Sequence, residues 1–399
     1  MRISTVTIYE QSLSSMNRQQ SEFMKVGEQI STGRRVVNPS DDPQAAAQAV
    51  GVSQAIGITG QYTDSRVTAR NSLSQEESVL SGIGDAIAKA KTLIVQGVNG
   101  TLSDTDRTSV ATELEGILQT LIGQANATDG NGRYLFGGFN DSSTPFIEDA
   151  GGNIVYVGDS NNREQRIDAS RLMAVSDHGE DIFLSVQNGA GYIAEAAATN
   201  SGEMVFVGPL ILDASDPQFG NSFQIDFVDI AGEMHYSVDG GAPVLYEDGA
   251  SISFGGLSLS LEGVPADGDS IQVGPADTMN TDLFATVTKA LAALREPHAT
   301  AADTAAFRNT MSTVMRELDN SLDNVLTIQA SVGARLNELD VVDGVAENRL
   351  LSYQKNLSDL VDLDYASAIS EYSLRQVGLQ AAQKAFVDIN DMSLFNFLR

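Results

Sequence analysis

The chain has 399 residues and a formal charge of −29, from 24 basic and 53 acidic side chains. That length carries a real hydrophobic core, and the apolar share of 42% excludes global disorder. The acidity disfavours nucleic acid and anionic membranes as partners, and the absence of cysteine excludes disulfides, thiolate metal sites and cysteine nucleophiles.

In chain order, Met1–Thr5 has no apolar h-region, so no cleaved secretory signal is expected. Val6, Tyr9, Leu13, Met16, Phe23 and Ile30 fall on one heptad grid, broken by Gln20 and Gly27, and predict an amphipathic helix to about residue 30. Gly33 suits a C′ position, and Asn38 to Pro43 cannot be helical because each proline extends the residue before it. Asp42 and Pro43 then read as N-cap and first residue of a second helix to about 96. Its seam is Leu73, Leu80, Ile87 and Ile94, and Gly97–Gly100 ends it. Ser103 caps a shorter helix that stops at Asp129-Gly130-Asn131-Gly132.

From about 133 to 276 the pattern alternates. Strands are expected at 154–157, 223–227, 235–238 and 257–261, with turns at Gly151-Gly152-Asn153, Asp239-Gly240-Gly241, Asp248-Gly249 and Asp267-Gly268. A Gly- and Ala-rich stretch at 187–203 offers a division into two lobes. Helical periodicity returns at Thr281, a candidate N-cap, and Pro297 closes that helix. A long helix follows from about 302 with Met311, Leu318, Val325, Val332 and Leu339 every seven residues; to 350 it would run roughly 70 Å. The seam continues through Leu357, Ile369, Tyr372, Leu379 and Phe386 into an apolar tail containing Leu394, Phe395 and Leu398. No stretch approaches the length of apolar residues that spans a bilayer, so no membrane insertion is expected.

This is an α+β chain: a coiled-coil rod of long helices built from both terminal segments, with an inserted antiparallel β domain. The divisions are 1–42 (assembly helix and hinge), 43–132 and 277–350 (the two halves of the rod), 133–276 (outer β domain) and 351–399 (C-terminal assembly helix). Such ends either meet each other or are offered to neighbours. Chemistry is poorly represented. His178, His235 and His298 have no partner at triad or metal spacing and read as surface or strand histidines. The acidic pairs Asp41/Asp42, Asp267/Asp269 and Asp362/Asp364 suit turns and caps better than calcium or a glycosidase dyad. No catalytic residue, cofactor or metal is expected.

Several segments resemble the hook–filament junction branch of the bacterial flagellin-like family. They are Met1–Thr5, Gln29–Val36 followed by Pro39-Ser40-Asp41-Asp42-Pro43, Tyr134–Gly138, Leu363–Ala366, Leu379–Gln383 and Leu394–Leu398. The resemblance implies a structural adaptor rather than an enzyme, located outside the cell in the flagellum and exported without a cleaved signal. The implied partners are hook-associated protein 1, flagellin, further copies in a ring, and an export chaperone on the C-terminal helix. On this reading Leu13, Met16, Phe23, Ile30, Leu357, Ile369, Tyr372, Leu379, Phe386, Leu394, Phe395 and Leu398 form the assembly seam. Gly33, Pro39, Asp42 and Pro43 form the hinge. Flagellin itself, or a secreted adhesin or glycan-acting β module on helical stalks, is the alternative.

Overall fold

The computed structural model describes residues 5–100, 102–187 and 189–391. Leu394, Phe395 and Leu398 lie outside them. Long helices occupy both ends of the chain and antiparallel sheets fill its middle, the α+β arrangement expected. The chain divides into two compact units. The terminal unit comprises Met1–Asp64 and Val341–Arg399, and the central unit Ser65–Asp340. Helices α2 (Pro43–Gly97) and α6 (Ala301–Val361) contribute to both.

In the central unit the heptads are core. Leu73, Leu80, Ile87 and Ile94 of α2 and Met311, Leu318, Val325, Val332 and Leu339 of α6 are essentially inaccessible. Arg70 pairs with Asp340 at 2.5 Å and Lys91 with Asp319, so α2 and α6 run antiparallel here. Helix α3 (Asp104–Ala125) starts in a full capping box between Ser103 and Asp106. It joins α2 through Lys89–Glu113 and joins α5 (Leu283–Arg295) through Arg295–Glu115. The N-cap of α5 is Asp282, not the expected Thr281: its carboxylate accepts from Phe284 and Ala285 N–H, while the Thr281 hydroxyl donates to the Leu184 carbonyl.

Four antiparallel sheets follow α3. Strands β1 (Phe146–Glu148) and β2 (Ile154–Tyr156) pair, as do β3 (Glu164–Asp168) and β4 (Arg171–Ala174). The stretch 187–203 contains strand β5 (Tyr192–Ala196). With β6 (Val205–Ile211), β7 (Phe223–Ile230), β8 (Glu233–Val238), β9 (Val244–Leu245), β10 (Ser251–Phe254), β11 (Leu257–Glu262) and β12 (Ser270–Pro275) it builds two sheets. Their orders are β5-β12-β7-β8-β9 and β10-β11-β6. Phe206, Phe223, Ile225, Phe227, Leu257, Leu259, Leu261 and Ile271 fill one core. The β10–β11 turn needs Gly256, whose φ is +77° and whose Cβ would sit 2.0 Å from the Asp213 carbonyl.

Strands β5 and β6, helix α5 and the segment at Asp181 are fastened to α6 by polar groups. Asn309 donates to the Met204 carbonyl at 2.8 Å and accepts from Phe206 N–H at 3.0 Å. Thr313 donates to Ala194, Glu317 accepts from Thr286 and Lys289, and Asn324 donates to Asp181. These side chains recur at intervals of one or two helical turns, so a single buried polar stripe meets backbone groups at Met204, Phe206, Ala194 and Asp181 and the side chains of Thr286 and Lys289. Glu76 of α2 is also buried, at 1% exposure; one oxygen accepts from Asp177 N–H and the other has no partner. Burial first, and the Asp177 carboxylate second, push its carboxyl up to about 8, against the opposing pull of Arg335 and Arg163.

His178, expected at a surface or on a strand, is buried as the N-cap of α4 (Gly179–Phe183), its ring accepting from Asp181 N–H. Around α4, Phe183 stacks on Phe284 and meets Phe146 and Phe136 edge-on.

Candidate assembly site: the paired chain ends

The terminal unit is organised by α1 (Thr5–Thr32) and α7 (Tyr365–Asp391). Tyr9 packs on Phe386 with ring centroids 5.3 Å apart, and Phe23 on Tyr372 at 4.7 Å. The two pairs are two heptads apart on both helices, in opposite directions, so α1 and α7 form an antiparallel pair. Between them Arg375 bridges Glu22 of α1 and Glu371 of its own helix. The Tyr372 ring lies over Gly27, 3.6 Å from where a Cβ would stand, so this interruption of the heptad is where a large ring is accommodated. Of the two arrangements open to the ends, the described structure shows them meeting each other.

The predicted seam residues fall into three groups. Leu13, Met16, Phe23, Ile30, Tyr372, Leu379 and Phe386 are half-buried. Ile369 is 55% exposed, and its neighbour Ala368 is buried instead. Leu357 is half-buried near the end of α6, before the pairing helix begins. Continuous heptads through 357 and 369 suggest one helix, but the chain breaks at Asp362–Asp364. Asp364 then caps α7, accepting from Ala366 N–H at 3.0 Å.

That break is clasped to the segment after α1. Arg35 N–H donates to the Val361 carbonyl at 2.7 Å, and Leu363 N–H donates to the Gly33 carbonyl at 3.0 Å. The Arg35 guanidinium adds a bond to the Leu360 carbonyl at 2.7 Å and pairs with Asp42 at 3.1 Å. Gly33 has φ +70°, and a Cβ there would stand 2.9 Å from the Tyr365 hydroxyl. A side chain at 33 is therefore strained by conformation and by contact. Pro39 sits in the turn closed by Asp41 N–H on the Asn38 carbonyl.

The two carboxylates of this segment take the expected turn and cap roles. Asp41 accepts from Val37 and Asn38 N–H and pairs with Lys25 at 2.9 Å; chiefly the Asn38 bond, then Lys25, holds it below the usual carboxylate range. Asp42 caps α2 at Pro43, accepting from Ala45 N–H; that bond first and Arg35 second lower its carboxyl too. Elsewhere Asp267 and Asp269 likewise accept from backbone amides. Heptad counting missed Lys25, Arg35, Glu22 and Arg375, since it follows apolar residues alone. The signal available was a charged residue beside a seam position on each terminal helix.

Residues 3–141 match the bacterial flagellin N-terminal helical region family. Flagellar hook-associated protein 3 of Escherichia coli (strain K12) is 37% identical over 99% of both chains. Its namesake from Salmonella typhimurium is 36% identical over the full length of both. Salmonella flagellins are 31% identical, but over 30% of this chain and 23% of theirs. The crystal structure of the flagellar junction protein FlgL from Legionella pneumophila superposes with a TM-score of 0.68 at 25% identity, over 79% of this chain and all of that one. A match that runs through both chain ends and the strands between them separates this chain from flagellin, and the chain belongs to the flagellar hook-associated protein 3 family.

Proposed function

We propose that the chain is a structural adaptor of the bacterial flagellum that joins the hook to the filament. The full-length likeness to hook-associated protein 3 carries this reading, and the antiparallel α1–α7 pair supplies its physical basis. Leu13, Met16, Phe23, Ile30, Tyr372, Leu379 and Phe386 hold the terminal helices together, and with Leu357 and Ile369 they offer apolar surface to neighbours. Gly33, Pro39, Asp42 and Pro43 set the direction in which the pair leaves α2. The neighbours are hook-associated protein 1 on the hook side, flagellin on the filament side, and further copies in a ring. An export chaperone covers the C-terminal helix before release from the cell, which proceeds without a cleaved signal. The chain acts by packing, not by catalysis.

The test is removal of residues 357–399 in a strain lacking the native copy. A soluble, folded protein is expected, together with hooks that carry no filament, and immunogold labelling of the full chain at the junction. Normal motility in the truncated strain would overturn the proposal.

A further inference from the structure

Outside the terminal helices, the central unit carries an open groove of about 530 Å³ between α2, α6 and β6. Val95, Val98, Val207 and Met315 line it above the buried Ile94 and Met311, and Asp319, already paired with Lys91, stands at its edge. Val95 and Val207 are 62% and 60% exposed, and the strand continues with exposed Leu210 and Ile211. Uncovered apolar surface along one groove is costly unless a partner covers it, and the half-buried Met315 allows the lining to adjust to one. Arg308 and Arg316 also line it, two helical turns apart or about 12 Å. Neither has an ion pair among the described residues, in a chain with 53 carboxylates.

The same unit carries the opposite chemistry on the β7–β9 ribbon. Val228, Ile230 and Leu245 are exposed there, and Val228 and Leu245 both lie opposite His235 in register. Asp229, Glu233 and Glu247 are exposed beside them, and none has a cationic partner among the described residues. No residue of this ribbon lines the groove.

We propose that the groove receives the acidic, apolar β7–β9 ribbon of a second copy of the chain. The choice of a second copy rests on complementarity: unpaired guanidiniums beside apolar residues on one surface, unpaired carboxylates beside apolar residues on another. A copy that gives its ribbon to one neighbour and its groove to another makes a head-to-tail contact, which propagates into rings or open helical rows instead of stopping at a pair. The arginines steer and register the contact, and the apolar residues hold it. The inference rests on the reading that copies stand side by side in a junction, and it names the surfaces that join them.

The lack of native cysteine makes the test direct. Val207→Cys and Ile230→Cys are introduced into the full chain, singly and together, in cells lacking the native copy. Isolated flagella are treated with a short bis-maleimide. The double variant is expected to give a ladder of dimers, trimers and higher products. The two single variants produced together should give dimers, and each alone none. Adding Arg308→Glu and Arg316→Glu should reduce the ladder at least about tenfold, the effect of losing roughly 1.4 kcal/mol. Glu233→Lys with Glu247→Lys should restore it. Incorporated protein without a ladder, dimers from Val207→Cys alone, or adducts with a different protein would each overturn the proposal. Failure of the unsubstituted chain to label the junction would instead sink the functional reading, and is seen before any cysteine is introduced.

Discussion

The two units hold themselves together differently. In the central unit large side chains disappear from solvent: Phe136, Phe146, Phe183, Phe206, Phe227 and Phe284 are at most 2% exposed. In the terminal unit the buried apolar side chains are small, among them Val26, Val36, Ala45, Ala49 and Ala368, and the aromatic pairs between α1 and α7 stay half-covered. The central unit buries its large rings within itself, although apolar residues stay exposed at the groove beside β6 and on the β7–β9 ribbon. The terminal unit has no such core of large side chains, and a helix pair with so little burial is marginal in isolation. The difference marks where independent stability ends and dependence on neighbours begins.

The sharpest way to break this comparison is Phe183→Ala, which empties the centre of an aromatic cluster. A loss of about 3–5 kcal/mol is expected in urea unfolding of the central unit, with protease sensitivity of α1 and α7 unchanged. Equal loosening of both units would contradict the division.

Glu76→Gln comes next. A buried carboxyl raised from 4.5 to about 8 gives stability that is fully present below 4.5 and is lost as pH rises through about 8. Thermal melting of the wild type should therefore fall across that window, while the Gln variant stays flat and is the more stable of the two above pH 8. Parallel pH profiles would remove Glu76 from the account.

The smallest effect in dilute protein belongs to Phe23→Ala. The ring contact with Tyr372 is worth about 1 kcal/mol, so helicity and melting should barely change while filament attachment fails. Severe unfolding would show that the terminal unit is as self-sufficient as the central one.

Much of this was legible in the amino-acid order because apolar spacing and turn chemistry are local. The heptads of α2 and α6, the cap at Ser103, the Gly33 turn and the Asp42–Pro43 start all lie where spacing put them. What escaped was non-local. Asn309, Thr313, Glu317 and Asn324 look like the wet face of a helix, because nothing nearby in sequence reveals their partners: β6, β5 and α4 lie more than a hundred residues away, and Glu317 turns to α5. The clasp between Arg35 and Val361 was hidden for the same reason. The break at Asp362–Asp364 was concealed by heptads that resume almost in phase beyond it. As for the site, the seam aromatics could be named in advance, but not their pairing or register. Ile369, 55% exposed beside buried Ala368, shows that the covered side of α7 is displaced by one residue there.

The clasp has a consequence in time. Gly33 and Arg35 emerge early in synthesis, whereas Val361 and Leu363 emerge more than 300 residues later. No local contact can stand in for these bonds, whose partners do not exist until that span has been made. The first helix therefore waits, unpaired, for almost the whole chain to exist. A chain cut short anywhere before residue 361 can still build much of its centre, yet it can never close its ends. Closure thus reports on progress: only a chain that has been made through α7 can present the helix pair.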